Sequence, residues 1–582
     1  MKSLSYLNKY FIKYKWRILL GVVFIFGTYY FKAQMPLFFG EVVDDFETWN
    51  ASPKHESAFM YAINSAAYYM LLALIAGVFL FLTRQMIIVV SRYIEYDLKN
   101  EIYQHYQKLG FNFYKKNSTG DLMNRISEDV TKVRMYLGPG VLYSLNLLVM
   151  SILIIYQMVA INGYLTFFVL LPLPVMSLII YKVASRINKL STTVQEEQSF
   201  MSTLVQETFS GIRVVKAYSR TEEVSERFSK SAENYKAKSM KLVMTNALFM
   251  PTIFILIGIS TILCIYLGGL LFYDEVITKG QIITFIIYVN MLTWPFASIG
   301  WVASLTQRAA ASQERINEFL NEAPDIVNTV DTPFSFEGKI EFRNVTFTYP
   351  NSGIMAVSNL SFILNKGESL GIVGKTGSGK STILNLLMRQ VEPDQGTVLI
   401  DDVDIRDINL SDLRKQTGIV PQDVFLFSDT IKNNLRFGAL DDVDKEKMIE
   451  VTKAAHVYHN IEEFKDQFET ILGERGVNLS GGQKQRLSIA RALIRNPKLL
   501  ILDDCLSAVD TETEEVILSN LKKFKALTSL VVSHRISSIR NASKVIVIEE
   551  GSIIEQGTHA ELMQLGKEYA ELYKKQLAED DA

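Results

Sequence analysis

Cysteine is nearly missing. The 582 residues hold two, Cys264 and Cys505, in segments of different character. This argues against a disulfide scaffold or a Cys-type zinc site. Histidine is scarce as well, with six residues. His456 and His459 stand three apart without a third ligand nearby, which reads as a solvated helix face rather than a metal site. A surplus of charge is also lacking, since 60 Lys+Arg meet 62 Asp+Glu for a net −2. No whole-chain basic field therefore points to nucleic acid as a partner. With 32 Gly and 13 Pro the chain is neither collagen-like nor of low complexity. What it has in quantity is apolar surface: 48% of residues are hydrophobic and 21% charged, which excludes intrinsic disorder. At ~150 residues per domain, the length allows up to roughly four domains.

The apolar residues are concentrated in the first half. Residues 57–83, 135–181, 242–273 and 280–307 contain no Asp, Glu, Lys or Arg. A helix rises ~1.5 Å per residue and the hydrocarbon layer is ~30 Å thick, so ~20 apolar residues span it. The window 135–181 is long enough for two spans, with Asn162-Gly163 as the turn between them. Six spans are expected, near 16–40, 60–90, 139–160, 163–184, 246–272 and 280–304. The first run is too long for a cleavable signal and lacks a small-residue cleavage site.

Charge sets the orientation. Lys2, Lys9, Lys13, Lys15 and Arg17 precede the first span. The short loops near 41–56, 161–163 and 274–279 hold only Lys54 and Lys279 as basic residues, and the first is rich in Glu41, Asp44, Asp45 and Glu47. The long loops near 91–134 and 185–245 are rich in Lys and Arg. The positive-inside rule places these long loops and both termini in the cytoplasm. Both loops have apolar residues at helical spacing, so the spans are expected to continue into the cytosol. They should reverse near Asn112–Thr119 and near Thr208–Val214. Lys32 and Arg84 lie within or beside spans, where charge is costly and tends to face a cavity or a partner. They either line a cavity for anionic or amphipathic cargo or snorkel to the headgroups. Tyr69, Phe81, Trp294 and Phe296 are either stacking surfaces for drugs or packing and interface anchors.

A polar stretch with Pro324, Asp331 and Pro333 reads as a linker. The domains expected are therefore 1–324 and 325–582. Beyond the linker, short strands alternate with helices. Strands are expected at Ile340–Phe347, Leu370–Val373, Leu499–Leu502, Ser529–Val532 and Val545–Ile548, and helices at Ser381–Leu387, Gln483–Ile494 and Thr511–Phe524. That alternation implies an α/β domain with a largely parallel sheet, joined to an all-α six-helix membrane domain.

Gly374, Lys375, Thr376, Gly377, Ser378, Gly379, Lys380 and Ser381 fit the phosphate-loop pattern between a strand and a helix, and Thr382 follows. The glycines let successive N–H groups turn towards a phosphate, and the helix N-terminus adds positive charge. Lys380 would reach the β- and γ-phosphates of ATP and Ser381 would ligate Mg²⁺. The run Leu499–Leu502 ends in Asp503, which would hold Mg²⁺ through water at the carboxyl end of a buried strand.

Leu479-Ser480-Gly481-Gly482-Gln483 precedes that strand. With the phosphate loop, it resembles the nucleotide-binding domain of the ATP-binding cassette (ABC) family. Six spans followed by one such domain is similar to an ABC half-exporter. Asn117–Met123 in the first long loop and Gly211–Lys216 in the second also look like the family. The resemblance implies an ATPase coupled to transport, with Tyr349 stacking on adenine, Gln422 sensing Mg²⁺ and the γ-phosphate, and His534 as the switch histidine. It also makes Ser507–Asp510 a D-loop and Gly473–Gly476 a segment that touches the membrane-domain loops. Two such domains are expected to meet head to tail, with Ser480, Gly481, Gly482 and Gln483 of one closing on ATP held by the other.

One departure from the pattern is Asp504, where the family places the Glu that polarises the attacking water. Asp is a methylene shorter, and a displacement of ~1 Å can cost ~100-fold in rate. The chain thus resembles the weak-site subunit of a heterodimeric multidrug or lipid exporter. The alternative is a homodimer with Asp504 as base. A regulator or channel on the same scaffold stays open, while six spans argue against a soluble cassette ATPase. The expected partners are a second half-exporter, membrane lipid and a hydrophobic or amphipathic cargo, with no nucleic acid. The expected location is a bacterial inner membrane.

Overall fold

The computed structural model describes all residues except 1, 48, 50–56, 329, 351, 525, 526, 581 and 582. Lys54 of the first short loop lies outside the described residues. The chain forms two compact units, one of residues 1–108 and 116–323, the other of residues 109–115 and 324–582.

In the first unit, six helices are long and apolar enough to cross a membrane: Lys15–Glu47, Ala58–Lys108, Thr119–Ile161, Gly163–Ser210, Thr221–Tyr273 and Lys279–Leu320. The shortest has 33 residues and the longest 53. At ~1.5 Å per residue each exceeds a ~30 Å hydrocarbon layer, so charged turns extend beyond it. The third and fourth helices meet at Asn162, whose side chain accepts the Leu165 N–H at 2.9 Å and caps the fourth.

The first and sixth helices are tied closely. The Thr284 hydroxyl donates to the Pro36 carbonyl at 2.9 Å and the Tyr288 hydroxyl to the Ala33 carbonyl at 2.7 Å. Asp44 accepts the Gly280 N–H at 2.8 Å. Phe285, Tyr288, Val289 and Leu292 are fully buried against Met150, Ile154, Leu165 and Val169. Before the first span, Tyr6, Lys9 and Tyr10 gather around Glu101 at 2.5–2.6 Å. In the same unit, the Arg315 Nε donates to Asp129 at 3.0 Å and the Ser312 hydroxyl does so at 2.9 Å.

The reversals differ in detail from the expectation. The first is a short helix, Phe111–Lys116, followed by Thr119–Asn124 with Ser118 as its cap. The second comes later than Thr208–Val214. The Gly211 N–H still bonds the Glu207 carbonyl at 2.9 Å, so the helix is barely interrupted there. A further helix, Ile212–Ala217, runs on, and the chain turns beyond it, where Ser219 takes a left-handed φ of 52°.

In the second unit the strands are β1 Ile340–Thr348, β2 Met355–Leu364, β3 Ser369–Gly374, β4 Gln395–Ile400, β5 Val403–Asp404, β6 Thr417–Val420, β7 Leu499–Asp503, β8 Thr528–Val532, β9 Lys544–Glu549 and β10 Ser552–Gly557. Six form one sheet in the order β10-β9-β3-β8-β7-β6, parallel except for β10. Strand β7, Leu499–Leu502, is wholly buried, as a central strand covered on both faces requires. The remaining four make an antiparallel sheet, β2-β1-β4-β5, beyond the parallel core expected from sequence. Phe342 stacks on Phe362 across β1 and β2, with ring centroids 4.6 Å apart.

Candidate nucleotide site

Parallel neighbours point their carboxyl ends to the same edge. The order β3-β8-β7-β6 therefore brings four chain ends side by side at ~4.8 Å intervals. Gly374–Lys380 follows β3, Ser533-His534 follows β8, Asp503-Asp504 ends β7 and Pro421-Gln422 follows β6. Such edges are where ligands bind in open α/β sheets.

The loop after β3 has the form of an anion cradle. Gly379 takes φ +101°, and a Cβ there would come within 2.0 Å of the Ala356 carbonyl oxygen, so only glycine fits. The helix Lys380–Leu387 starts immediately after it. Lys380 is buried, and its Nζ donates back to the Gly374 and Lys375 carbonyls at 2.7 and 2.8 Å. Burial holds its ammonium pKa below the usual lysine value, against the pull of Asp504 and Asp503. The Ser378 hydroxyl is buried without a hydrogen-bond partner among the described residues. An orphaned buried hydroxyl beside a buried lysine is a site short of an acceptor, and a phosphate supplies acceptors. Lys375 points elsewhere and bridges Glu549 and Glu568 at 3.1 Å each.

The Ser381 hydroxyl lies 3.4 Å from the Asp503 carboxylate. Burial raises the pKa of Asp503, with Ser381 and Lys380 pulling the other way. Hydroxyl and carboxylate oxygens are hard donors of the kind Mg²⁺ prefers. Asp504, also buried, takes a left-handed φ of 46°. Asp tolerates that conformation better than longer side chains do. Its carboxylate accepts from the Gln422 amide at 3.5 Å and from the His534 backbone N–H at 3.4 Å.

Tyr349 lies just past β1. Its hydroxyl is 3.2 Å from the Thr382 hydroxyl, and the Lys115 ammonium sits 4.4 Å from its ring centroid. Ser480 and Gln483 form a reciprocal capping box on the helix Gly481–Leu493. Neither hydrogen-bonds to residues 374–381 among the described residues. No group of three or more His, Cys, Asp or Glu that could hold a metal occurs among the described residues. The His456 and His459 rings meet at a tilt of 58°, with centroids 4.9 Å apart.

Sequence reasoning missed two glutamines. The Gln485 side-chain amide oxygen accepts the Ala508 N–H at 3.1 Å and so ties the helix Gly481–Leu493 to the Ser507–Asp510 segment. Gln576, on the last helix Glu568–Asp580, bonds the His534 carbonyl and the Ile536 N–H. The first might have been suspected from its place two residues after Gln483, whereas nothing local marks the second.

In the membrane half, Lys32 and Trp294 line a cavity. Arg84 is exposed and lines none of the cavities described here. Tyr69 and Phe81 face outward, and Phe296 packs against the apolar core.

Comparison with known proteins agrees with this geometry. The ABC transporter transmembrane region profile matches residues 18–296, and the ABC transporter profile matches residues 357–507. A probable multidrug resistance ABC transporter ATP-binding/permease protein, YheI of Bacillus subtilis (strain 168), is 38% identical over 482 residues, 82% of each chain. The multidrug resistance-like ATP-binding protein MdlA of Escherichia coli (strain K12) is 35% identical over 88% of each chain. An ATP-dependent lipid A-core flippase of Syntrophus aciditrophicus (strain SB) is 35% identical over 83% of this chain and 80% of its own. The chain therefore belongs to the ABC transporter family, as a multi-pass half-transporter in which one six-helix membrane region is fused to one ATP-hydrolysing domain.

Proposed function

We propose that this chain is half of a dimeric exporter that uses ATP to move hydrophobic or amphipathic compounds, drugs or lipids, across a bacterial cytoplasmic membrane. Its ABC domain and both termini would lie in the cytoplasm. The observation that carries the reading is the convergence of Lys380, Asp503, Asp504, Gln422 and His534 on one sheet edge while Ser480 stays apart from that loop. The helix start at Ser480–Gln483 then binds no phosphate of its own chain's site, and a facing domain would present one.

In this reading residues 374–382 bind the phosphates, with Lys380 at the β- and γ-phosphates, and Tyr349 stacks on adenine. Ser381, Asp503 and Gln422 would hold Mg²⁺, which would supply neutralisation of phosphate charge. His534 donates a hydrogen bond to the γ-phosphate as charge develops. Ser480, Gly481, Gly482 and Gln483 close the partner's site. ATP favours the closed pair and hydrolysis releases it, biasing the membrane helices between inward- and outward-facing states.

Asp504 makes this chain the slow-site subunit of a heterodimer. Its shorter carboxylate retreats by ~1 Å from where a glutamate would sit, a displacement worth ~100-fold in rate. A homodimer with Asp504 as base is the second reading, and the hydrogen bonds from Gln422 and His534 that orient the carboxylate favour it. Purification from native membranes tests the partner. A second ABC chain with Glu at the position that matches Asp504 is expected in stoichiometric amount. Recovery of this chain alone as a dimer would reject the heterodimer. Inside-out vesicles should take up an apolar fluorescent amphiphile on addition of ATP, and Lys380→Ala should abolish uptake. ATP-independent uptake would reject export.

A further inference from the structure

Lys32 is a lone cation far from either end of its span. Gly40, eight residues on, precedes the acidic last turns of the same helix, with Glu41, Asp44 and Asp45, which puts Lys32 about 12 Å along the helix from that acidic end. A snorkelling lysine would extend towards that end. Here the side chain leans the other way, and Nζ lies 5.6 Å from the ring centroid of Tyr29, one turn nearer the N-terminus. The ammonium therefore stays at depth.

It lines a cavity of about 260 Å³ together with Tyr143, Asn146, Trp294 and Ser298. Tyr143, Trp294 and Ser298 also line a second, larger cavity of about 680 Å³, whose wall includes Trp301 and Phe254. The two spaces adjoin: the larger is mostly apolar between Trp294 and Trp301, with Arg308 also on its wall, and the smaller holds the Lys32 ammonium beside polar groups. The larger has the volume of a small-molecule site, and the smaller is of headgroup size.

No carboxylate compensates that charge. Among the described residues Lys32 has no ion-pair partner, and no Asp or Glu lies in any of the six spans proposed above. A second copy of the chain would bring none at this depth either. A cation held in a low-dielectric cavity needs an anion or a strong acceptor, and here a ligand has to provide it.

We propose that Lys32 is the headgroup subsite of the transport cavity and selects amphiphiles carrying an acidic group, with the apolar part of the ligand in the larger space between Trp294 and Trp301. This rests on the export reading above and adds the charge class of the cargo.

Tryptophan fluorescence tests it without ATP turnover. In a Trp16→Phe, Trp49→Phe background the full chain keeps only Trp294 and Trp301, both on the larger cavity. In phosphatidylcholine nanodiscs, oleoyl lysophosphatidate and uncharged monooleoylglycerol differ only in the phosphate. The lysophosphatidate should bind on the order of 10-fold tighter. Lys32→Gln should erase the difference while leaving monooleoylglycerol binding unchanged, which also shows that the variant is folded. Lys32→Arg should keep the preference. Equal binding of the two probes by the unsubstituted cavity, or a preference that survives Lys32→Gln, would overturn the assignment and leave export standing. Competition by inorganic phosphate would move the subsite to a soluble anion and overturn the amphiphile. Binding of neither probe would contradict the export reading as well.

Discussion

Gln576 clamps the backbone just after the His534 side chain: its amide nitrogen donates to the His534 carbonyl at 2.6 Å, and its oxygen accepts the Ile536 N–H at 2.8 Å. The C-terminal helix thus positions the segment that carries the proposed switch histidine. The same helix reaches the phosphate loop through Glu568 and Lys375, 3.1 Å apart. Gln576→Ala removes two hydrogen bonds worth ~1 kcal/mol each, so single-turnover hydrolysis at this site should slow by up to about 30-fold. The ATP concentration for half-maximal rate should stay within about twofold, because no phosphate contact is lost. Gln576→Glu keeps the acceptor and should recover part of the rate. Unchanged turnover in Gln576→Ala would remove the positioning role.

The close approach of the first and sixth helices makes a second prediction. A Cβ at Gly280 would lie 2.0 Å from the Gly40 carbonyl oxygen and 2.7 Å from the Asp44 carboxylate. Backbone cannot move aside as a flexible side chain can. Gly280→Ala should therefore destabilise the membrane unit by roughly 1–3 kcal/mol, the usual range for overpacking. Thermal unfolding in detergent should show a lower Tm. An unchanged Tm would mean the two helices separate without cost.

Glu514 gives a pH dependence. It is 1% exposed and accepts hydrogen bonds from Ser537 and Ser538. Burial raises its pKa above 4.5, with Ser538 and Arg535 opposing. A carboxyl group with a raised native pKa binds its proton more firmly folded than unfolded, so its effect on stability worsens as pH rises from 4.5 through the native value. Glu514→Gln cannot ionise and should gain stability relative to the parent chain as pH goes from 5 to 7. Tm differences measured at the two pH values check this. A difference independent of pH would show that the carboxyl titrates normally.

The membrane half was legible because six apolar stretches, four of their windows free of charge, have the length that a bilayer demands, and each lies in a long helix among the described residues. In the ABC domain, the phosphate loop and Asp503 could be read because glycine, lysine and a strand-terminal carboxylate follow one another at fixed spacing. The antiparallel sheet went unread, since the half-exposed β2 and the short β5 carry weak signals. Gln576 could not be found because it meets His534 across 42 residues of chain, and only the fold joins them. Lys32 could be flagged as a charge in a span, but whether it reached outward or inward depended on the direction of its side chain over Tyr29.

The role of Asp504 is decided by ATP turnover of this chain reconstituted alone in lipid, compared with its Asp504→Glu and Asp504→Asn variants. The glutamate restores about one methylene of reach to a carboxylate already facing Gln422 and His534. The account predicts that the chain binds ATP but hydrolyses it slowly, that Asp504→Glu raises turnover by about 100-fold, and that Asp504→Asn changes little. Fast hydrolysis by the unsubstituted chain, lost in Asp504→Asn and not improved in Asp504→Glu, would contradict it.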